Sequence, residues 1–303
     1  MNNILKENII LPAWETVKEN AKIKKYYLIP GFLSIIFLTF LLVYQAIYTY
    51  VEVFDKKDKA LVFILDLFHS EYIIEIIITG IIFLLIYFIT LPIFEGGLIH
   101  YIDHKARDEE ITGSEAFGMG MYKFFPIFEY NNIFSEFKFI SIINAFLFTI
   151  RFIGVQHLQI LLIVFSVLLL FSIILNILFA YSKYFIVLEN QGVFSAVGKS
   201  AKVALLNLKV TIKLYILMFI LNIRVILNFV IFLIFPIIIS ATVLYITSQI
   251  FLIVTLSILT ILFILAIYIL GYLSAVLEVF KTAIWYNAYK IGREKIKKIE
   301  DES

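Results

Sequence analysis

The sequence predicts an all-α, polytopic integral membrane protein. Six transmembrane helices form three hairpins, each preceded by a short amphipathic interfacial helix. Three observations predict this. Of the 303 residues, 62% are hydrophobic and only 16% charged, with a mean hydropathy of +0.99. Ordinary soluble domains carry about 25% charge, and no soluble fold hides so much apolar surface, so a bilayer must solvate most of the chain. Several stretches also reach the ~20 apolar residues that a helix needs to cross a bilayer. Finally, Val225 to Leu277 holds no charged residue. A straight helix of that length would run about 80 Å against a hydrocarbon core of about 30 Å, so the chain must turn back within it.

The elements follow in order. The first 26 residues mix Lys, Glu and Asn with Pro12 and are too polar for the core of a cleavable signal peptide; within them, residues 12–25 read as an amphipathic segment. The first span, 27–51, is therefore expected to stay as an anchor, with Tyr26, Tyr27, Tyr48 and Tyr50 at its ends as interface residues. Asp55 to His69 reads as an outer interfacial helix, and 73–94 as the second span, with Glu75 just inside one end. A second amphipathic segment covers 114–125. Span three, 133–154, is the weakest, because Glu136, Lys138 and Arg151 fall within it. Residues 158–188 form a long fourth span, and 193–209 a third amphipathic segment. The charge-free stretch divides into spans 213–238 and 250–285, turning after Pro236 between Ile239 and Gln249. The whole of 1–303 reads as a single transmembrane domain. Of the 25 Lys and Arg residues, 20 fall on the side of both termini, four fall on the other, and Arg224 remains within span five. Positive residues stay inside, so both termini are expected in the cytoplasm of a bacterial inner membrane.

The three amphipathic segments begin P-A-W-E-T-V-K, E-A-F-G-M-G-M and S-A-V-G-K-S-A. From Ala13, Ala116 and Ala196, a glutamate follows 82, 73 and 82 residues on: Glu95, Glu189 and Glu278. This spacing suggests an internal repeat of three parallel hairpin units, with a glutamate at each cytoplasmic mouth. The three carboxylates would form an acidic ring, or would pair with nearby lysines such as Lys183 and Lys281.

The G-K-S at Gly198 to Ser200 is a near-miss of a phosphate-binding loop. Gly192 and Gly198 have five residues between them where the loop needs four, and a membrane helix stands where a strand is required. No nucleotide partner is expected. The segment instead reads as a helix with Ser195 as its cap. Lys199, Lys202, Lys209 and Lys213 form a stripe facing lipid headgroups, opposite Val197, Ala201, Ala204, Leu208 and Ile212.

The run V-L-E-N-Q-G-V-F-S-A-V-G-K-S, followed by Asn-Leu-Lys and a new span, resembles a motif in a loose group of bacterial six-span proteins. That group includes the membrane domain fused to some glycerophosphodiester phosphodiesterases. The matching positions are Glu189, Gly192, Ala196, Ser200 and Asn207, within about 30 residues; Gly198 and Lys199 depart from the pattern. The resemblance implies a non-catalytic membrane module. The soluble phosphodiesterase domain has no counterpart here, so no phosphodiester chemistry carries over.

Further candidate sites come from the residues alone. On a helix, His100, His104 and Asp108 would share one face, beside Asp103 and Arg107, a set that would suit a divalent metal; the alternative is a solvated helix end. Arg224 lies about 16 Å into span five, where an unpaired charge is costly. Asn222 and Asn228 add polarity there; Arg224 would pair with Glu75 or Glu71, would snorkel toward the outer headgroups or bond backbone carbonyls, or would line a substrate pathway. The chain has no cysteine, which excludes disulfides and thiolate chemistry. It also lacks G-x-S-x-G and H-E-x-x-H patterns, and no basic domain supports nucleic-acid binding. No cofactor is expected; membrane lipids, another membrane protein or a second copy are the expected partners. The leading expectation is a non-enzymatic inner-membrane module for envelope or lipid organisation, or an accessory subunit. The alternative is a transporter of small solutes or lipid-like molecules using Arg224 and the three glutamates. The third reading is an intramembrane metal enzyme at His100 and His104.

Overall fold

The computed structural model describes residues 5–37, 40, 51, 57–134, 137, 139–222, 238, 242, 245–246 and 248–302. Among them helices are the only regular structure. In chain order they are α1 (Leu11–Glu19), α2 (Ala21–Tyr26), α3 (28–37), α4 (Lys57–Phe68), α5 (Ile73–Lys105), α6 (Gly113–Tyr122), α7 (Phe124–Phe134), α8 (Phe139–Ile153), α9 (Leu158–Leu178), α10 (Ser182–Leu188), α11 (Val193–Leu206), α12 (Leu208–Asn222) and α13 (Gln249–Glu302). Three helices are long and apolar enough to cross a membrane, α5, α9 with α10, and α13; α11 with α12 makes a fourth if the bent pair is one span. The most apolar windows of those three are 11%, 11% and 0% buried. Their apolar faces therefore point outward, where lipid satisfies them.

Several boundaries differ from the sequence expectation. Helix α5 does not stop at Phe94 but runs on through Glu95 to Lys105. Helix α13 passes residue 285 and stays helical to Glu302, because alternating apolar and charged residues after Lys281 keep one face on the core. Residues of the expected span 133–154 fall in α7, which begins earlier at Phe124, and in α8; the expected span 158–188 coincides with the apolar stretch Leu158–Leu188, with a turn at Phe179–Tyr181 between α9 and α10. Asn228, Arg224 and Pro236 lie outside the described residues.

The chain divides into two compact units: Met1–Tyr26, Pro92–Ile223 and Val279–Ser303 in the first; Tyr27–Leu91 and Arg224–Glu278 in the second. In the second unit, α3 packs on α13 through small residues. A Cβ on Gly31 would stand 2.6 Å from the Gly271 carbonyl oxygen and 2.9 Å from Ala275 Cβ. Such close approach is how membrane helices associate where burial of apolar surface gives no drive. Phe37 stacks on Tyr87 with centroids 4.4 Å apart, and Phe32 meets Tyr268 at 5.7 Å.

The first unit carries the amphipathic helices. Ala13 and Val17 of α1 are buried, as is Ile9 in the helical turn just before it, so this segment has one core face. Helix α6 opens with a capping box: Glu115 N–H donates to Thr112 Oγ1 at 3.2 Å, and Thr112 N–H donates to Glu115 Oε2 at 2.8 Å. That backbone bond, with the Thr112 hydroxyl, holds the Glu115 carboxyl below its usual range. Helices α5 and α6 cross backbone to backbone. A Cβ on Gly120 would lie 2.0 Å from the Ile93 carbonyl oxygen, and one on Gly97 2.4 Å from that of Ala116. Helix α8 ends at Gly154, whose φ of +91° suits only glycine, and the chain reverses into α9. Across that reversal Ser172 Oγ and Asn176 Nδ2 both donate to the Phe137 carbonyl.

Helix α11 is capped at Gly192, with no side-chain cap; the Ser195 hydroxyl donates to Gln191 Oε1 at 3.0 Å instead. Its buried face is Val193, Ala196, Ser200, Val203 and Ala204. Of the anticipated apolar stripe only Ala204 is buried; Leu208 and Ile212 are exposed. The axis then bends by 102° at Asn207. Lys199 and Lys202 therefore stand on one helix, and Lys209 and Lys213 on another.

Candidate functional site

The C-terminal part of α13 presents Tyr286, Tyr289, Lys290, Arg293, Glu294 and Lys297, at spacings of three, one, three, one and three, on one helical face. Opposite stand Asp103 near the end of α5 and Glu189 at the end of α10. Tyr286 donates its hydroxyl to Asp103 Oδ1 at 2.8 Å, and Arg107 Nη2 donates to Asp103 Oδ2. Tyr289 donates to Glu189 Oε1 at 2.8 Å, and Arg293 Nε to the same oxygen at 2.5 Å. Lys199 Nζ reaches Glu189 Oε2 at 3.4 Å. Asp103, Arg107, Leu188 and Glu189, with this face of α13, line an open cavity of about 390 Å³.

The local backbone explains why Glu189 sits there. Helix α10 stops with Asn190 at φ +53°, and Gln191 N–H donates to the Phe185 carbonyl oxygen at 3.2 Å. The bond reaches back six positions, and Asn takes the left-handed position that commonly ends a helix. Asn190 Oδ1 also accepts from the buried Lys123, whose ammonium burial pushes below its usual pKa.

Ser200 and Asn207 are structural joints. Ser200 is fully buried; its hydroxyl donates to the Leu178 carbonyl oxygen at 2.7 Å and accepts from Tyr181 N–H at 3.0 Å. It thereby satisfies the backbone groups freed where α9 breaks from α10. Asn207, at the bend, accepts from Lys295 Nζ at 2.5 Å. Gly292 lets α13 approach α11: a Cβ there would lie 2.4 Å from Val203 Cγ1.

The remaining candidates separate. His100 is half-buried on α5, and His104 Nδ1 lies 2.6 Å from Glu109. Asp108 follows the helix end with φ +58°, so it leaves the face of the two histidines. Among the described residues no three His, Asp or Glu side chains gather to hold a metal. Glu95 pairs with Lys183 and accepts from Asn131 Nδ2 at 3.2 Å. Lys183 lies 5.6 Å from the Tyr130 ring centroid, and the Tyr130 hydroxyl donates to the Phe179 carbonyl oxygen at 3.1 Å. Glu278 is half-buried on α13 in the second unit, and Glu75 is exposed on α5. Asn222 accepts from Lys281 at 3.3 Å. The pairing of Arg224 with Glu75 and the position of Asn228 fall outside the described residues.

Sequence reasoning missed Asp103, Arg107 and the α13 face as a joint site. A usable signal existed: Tyr286, Tyr289 and Arg293 share one helical face just past the expected end of span 250–285.

No family model, curated protein or solved structure matches the chain.

Proposed function

We propose that the chain is a non-enzymatic module of a bacterial inner membrane, serving envelope or lipid organisation or acting as an accessory subunit of a membrane complex. In this reading it crosses six times as three hairpins with both termini cytoplasmic, and the short amphipathic helices lie at the inner surface. The basic residues, gathered on the side of the termini, support that topology. So do the outward apolar faces of α5, α9 and α13.

One observation carries the non-catalytic reading. The two carboxylates of the charged cavity are spent on bracing helices. Asp103 and Glu189 each accept from a tyrosine of α13 and from an arginine. A general acid or base needs a proton site within reach of substrate, and these oxygens are engaged by neighbouring side chains. The open cavity itself favours a second reading, solute transport.

Native mass spectrometry on the tagged protein, extracted gently from its own membrane, tests the proposal. A protein at fixed stoichiometry, or retained phospholipid, is the expected result. A water-soluble metabolite bound at one per chain, with neither of these, would shift the assignment to transport.

A further inference from the structure

We propose that the cavity between Asp103, Glu189 and α13 binds a phosphate-bearing anion, held by Arg107, Lys290 and Lys297. The inference deepens the lipid-organising reading above and rests on it. Three observations converge. At about 390 Å³, the cavity falls within the roughly 300–1,000 Å³ of small-molecule pockets. Its lining holds four basic and three acidic side chains, an excess of one positive charge. That charge is also unevenly engaged. Asp103 and Glu189 are satisfied by tyrosine hydroxyls and arginines, so they do not compete for an incoming cation.

The basic groups are in the opposite state. Arg107 gives one nitrogen to Asp103 while its side chain is 57% exposed, and a guanidinium has five donors. Lys290 and Lys297 are exposed and make no hydrogen bond or ion pair among the described residues. They are two helical turns apart, about 10.5 Å along the axis, which suits a phosphodiester better than a bare ion. Charge-assisted N–H bonds to phosphate oxygens are among the stronger polar contacts, and basic pockets among membrane helices are suited to headgroups. Glu294, between the lysines in sequence, opposes a simple anion. The same chemistry could come from a phospholipid headgroup or from free phosphate.

The test uses the full chain in nanodiscs of neutral phosphatidylcholine, titrated by calorimetry with short-chain phosphatidylglycerol and, separately, with inorganic phosphate. We expect saturable binding at one per chain. The double variant K290Q/K297Q should weaken it about tenfold. Glu294→Gln should tighten it, because a like charge leaves the cavity. K18Q/K22Q removes two exposed charges of α1 and α2, away from the cavity, and should change nothing. If only phosphatidylglycerol binds, the ligand is a membrane headgroup; if inorganic phosphate binds with the same dependence on Lys290 and Lys297, it is a soluble phosphate. Either result upholds the site. No saturable binding of either probe, or equal weakening by both double variants, overturns it. Failure here with a protein partner still present in native mass spectra would leave the module reading standing. Binding accompanied by transport of the anion would uphold the site and overturn the module reading.

Discussion

Glu189 joins three helices through one carboxylate: it ends α10 and accepts from Tyr289 and Arg293 of α13 and from Lys199 of α11. Its side chain is 17% exposed, so screening by water is limited. Glu189→Gln removes the charge but keeps the shape, leaving two cations without their anion. Hydrogen bonds to charged groups are worth about 1.5–3 kcal/mol, so a loss of stability in that range is expected in thermal unfolding. Tyr289→Phe deletes one donor and should cost about 1 kcal/mol. If the two variants unfold at the same temperature, Glu189 is not the joint described here. Ser200→Ala leaves the Leu178 carbonyl and the Tyr181 amide buried without a partner, and about 1–3 kcal/mol should be lost. Ser195→Ala, on an exposed side of the same helix, is the matched control and should be neutral. Glu189, Ser200 and Asn207 lie within one short polar stretch between apolar runs, which is why the sequence drew attention to them. Asp103, Tyr286 and Tyr289 were not visible in it, because their hydrogen bonds join residues 183 and 100 positions apart. No local spacing records such pairs. His100, His104 and Asp108 show the converse: local spacing suggested a shared face, and the helix ended before Asp108 could join it.

At the scale of elements, helix existence was legible and helix ends were less so. Apolar runs are local signals, and the bodies of α5, α9 and α13 stand where they pointed, while the amphipathic segment 114–125 covers most of α6. The break at Phe179–Tyr181 and the bend at Asn207 depend on distant partners. Ser200 satisfies the first, and Lys295 reaches Asn207 at the second. A stripe drawn through both sides of a 102° bend therefore joined lysines of two different helices. The crossing of α5 and α6 gives a sharp test at this scale. Gly118 and Gly120 lie two residues apart on α6 and have the same local propensity. A Cβ on Gly120 would strike the Ile93 carbonyl oxygen at 2.0 Å, and one on Gly118 would meet nothing within 4 Å. Gly120→Ala should therefore abolish the folded monomer peak in detergent. Gly118→Ala should leave it in place and raise stability by up to about 1 kcal/mol, because alanine favours a helix more than glycine does. Equal behaviour of the two variants would mean that α6 does not cross α5 at this point.

At the scale of the whole molecule, the membrane class was legible because composition alone decides it: nothing but lipid can cover helices whose apolar windows are almost wholly outward-facing. Charge asymmetry carries the orientation, and the chain offers a clean way to read it. It has no cysteine, so any introduced thiol is the sole target for a maleimide. Asp58 on α4, Ser195 on α11 and Lys298 on α13 are all exposed. With six spans and both termini inside, Asp58→Cys should react with a membrane-impermeant maleimide in intact spheroplasts. Ser195→Cys and Lys298→Cys should react only after the membrane is opened. Labelling of Lys298→Cys before permeabilisation would place the C-terminus outside and break the six-span topology. Labelling of Ser195→Cys alone would instead mean that α11 and α12 re-enter from the outer face, which the excess of lysine in that segment opposes.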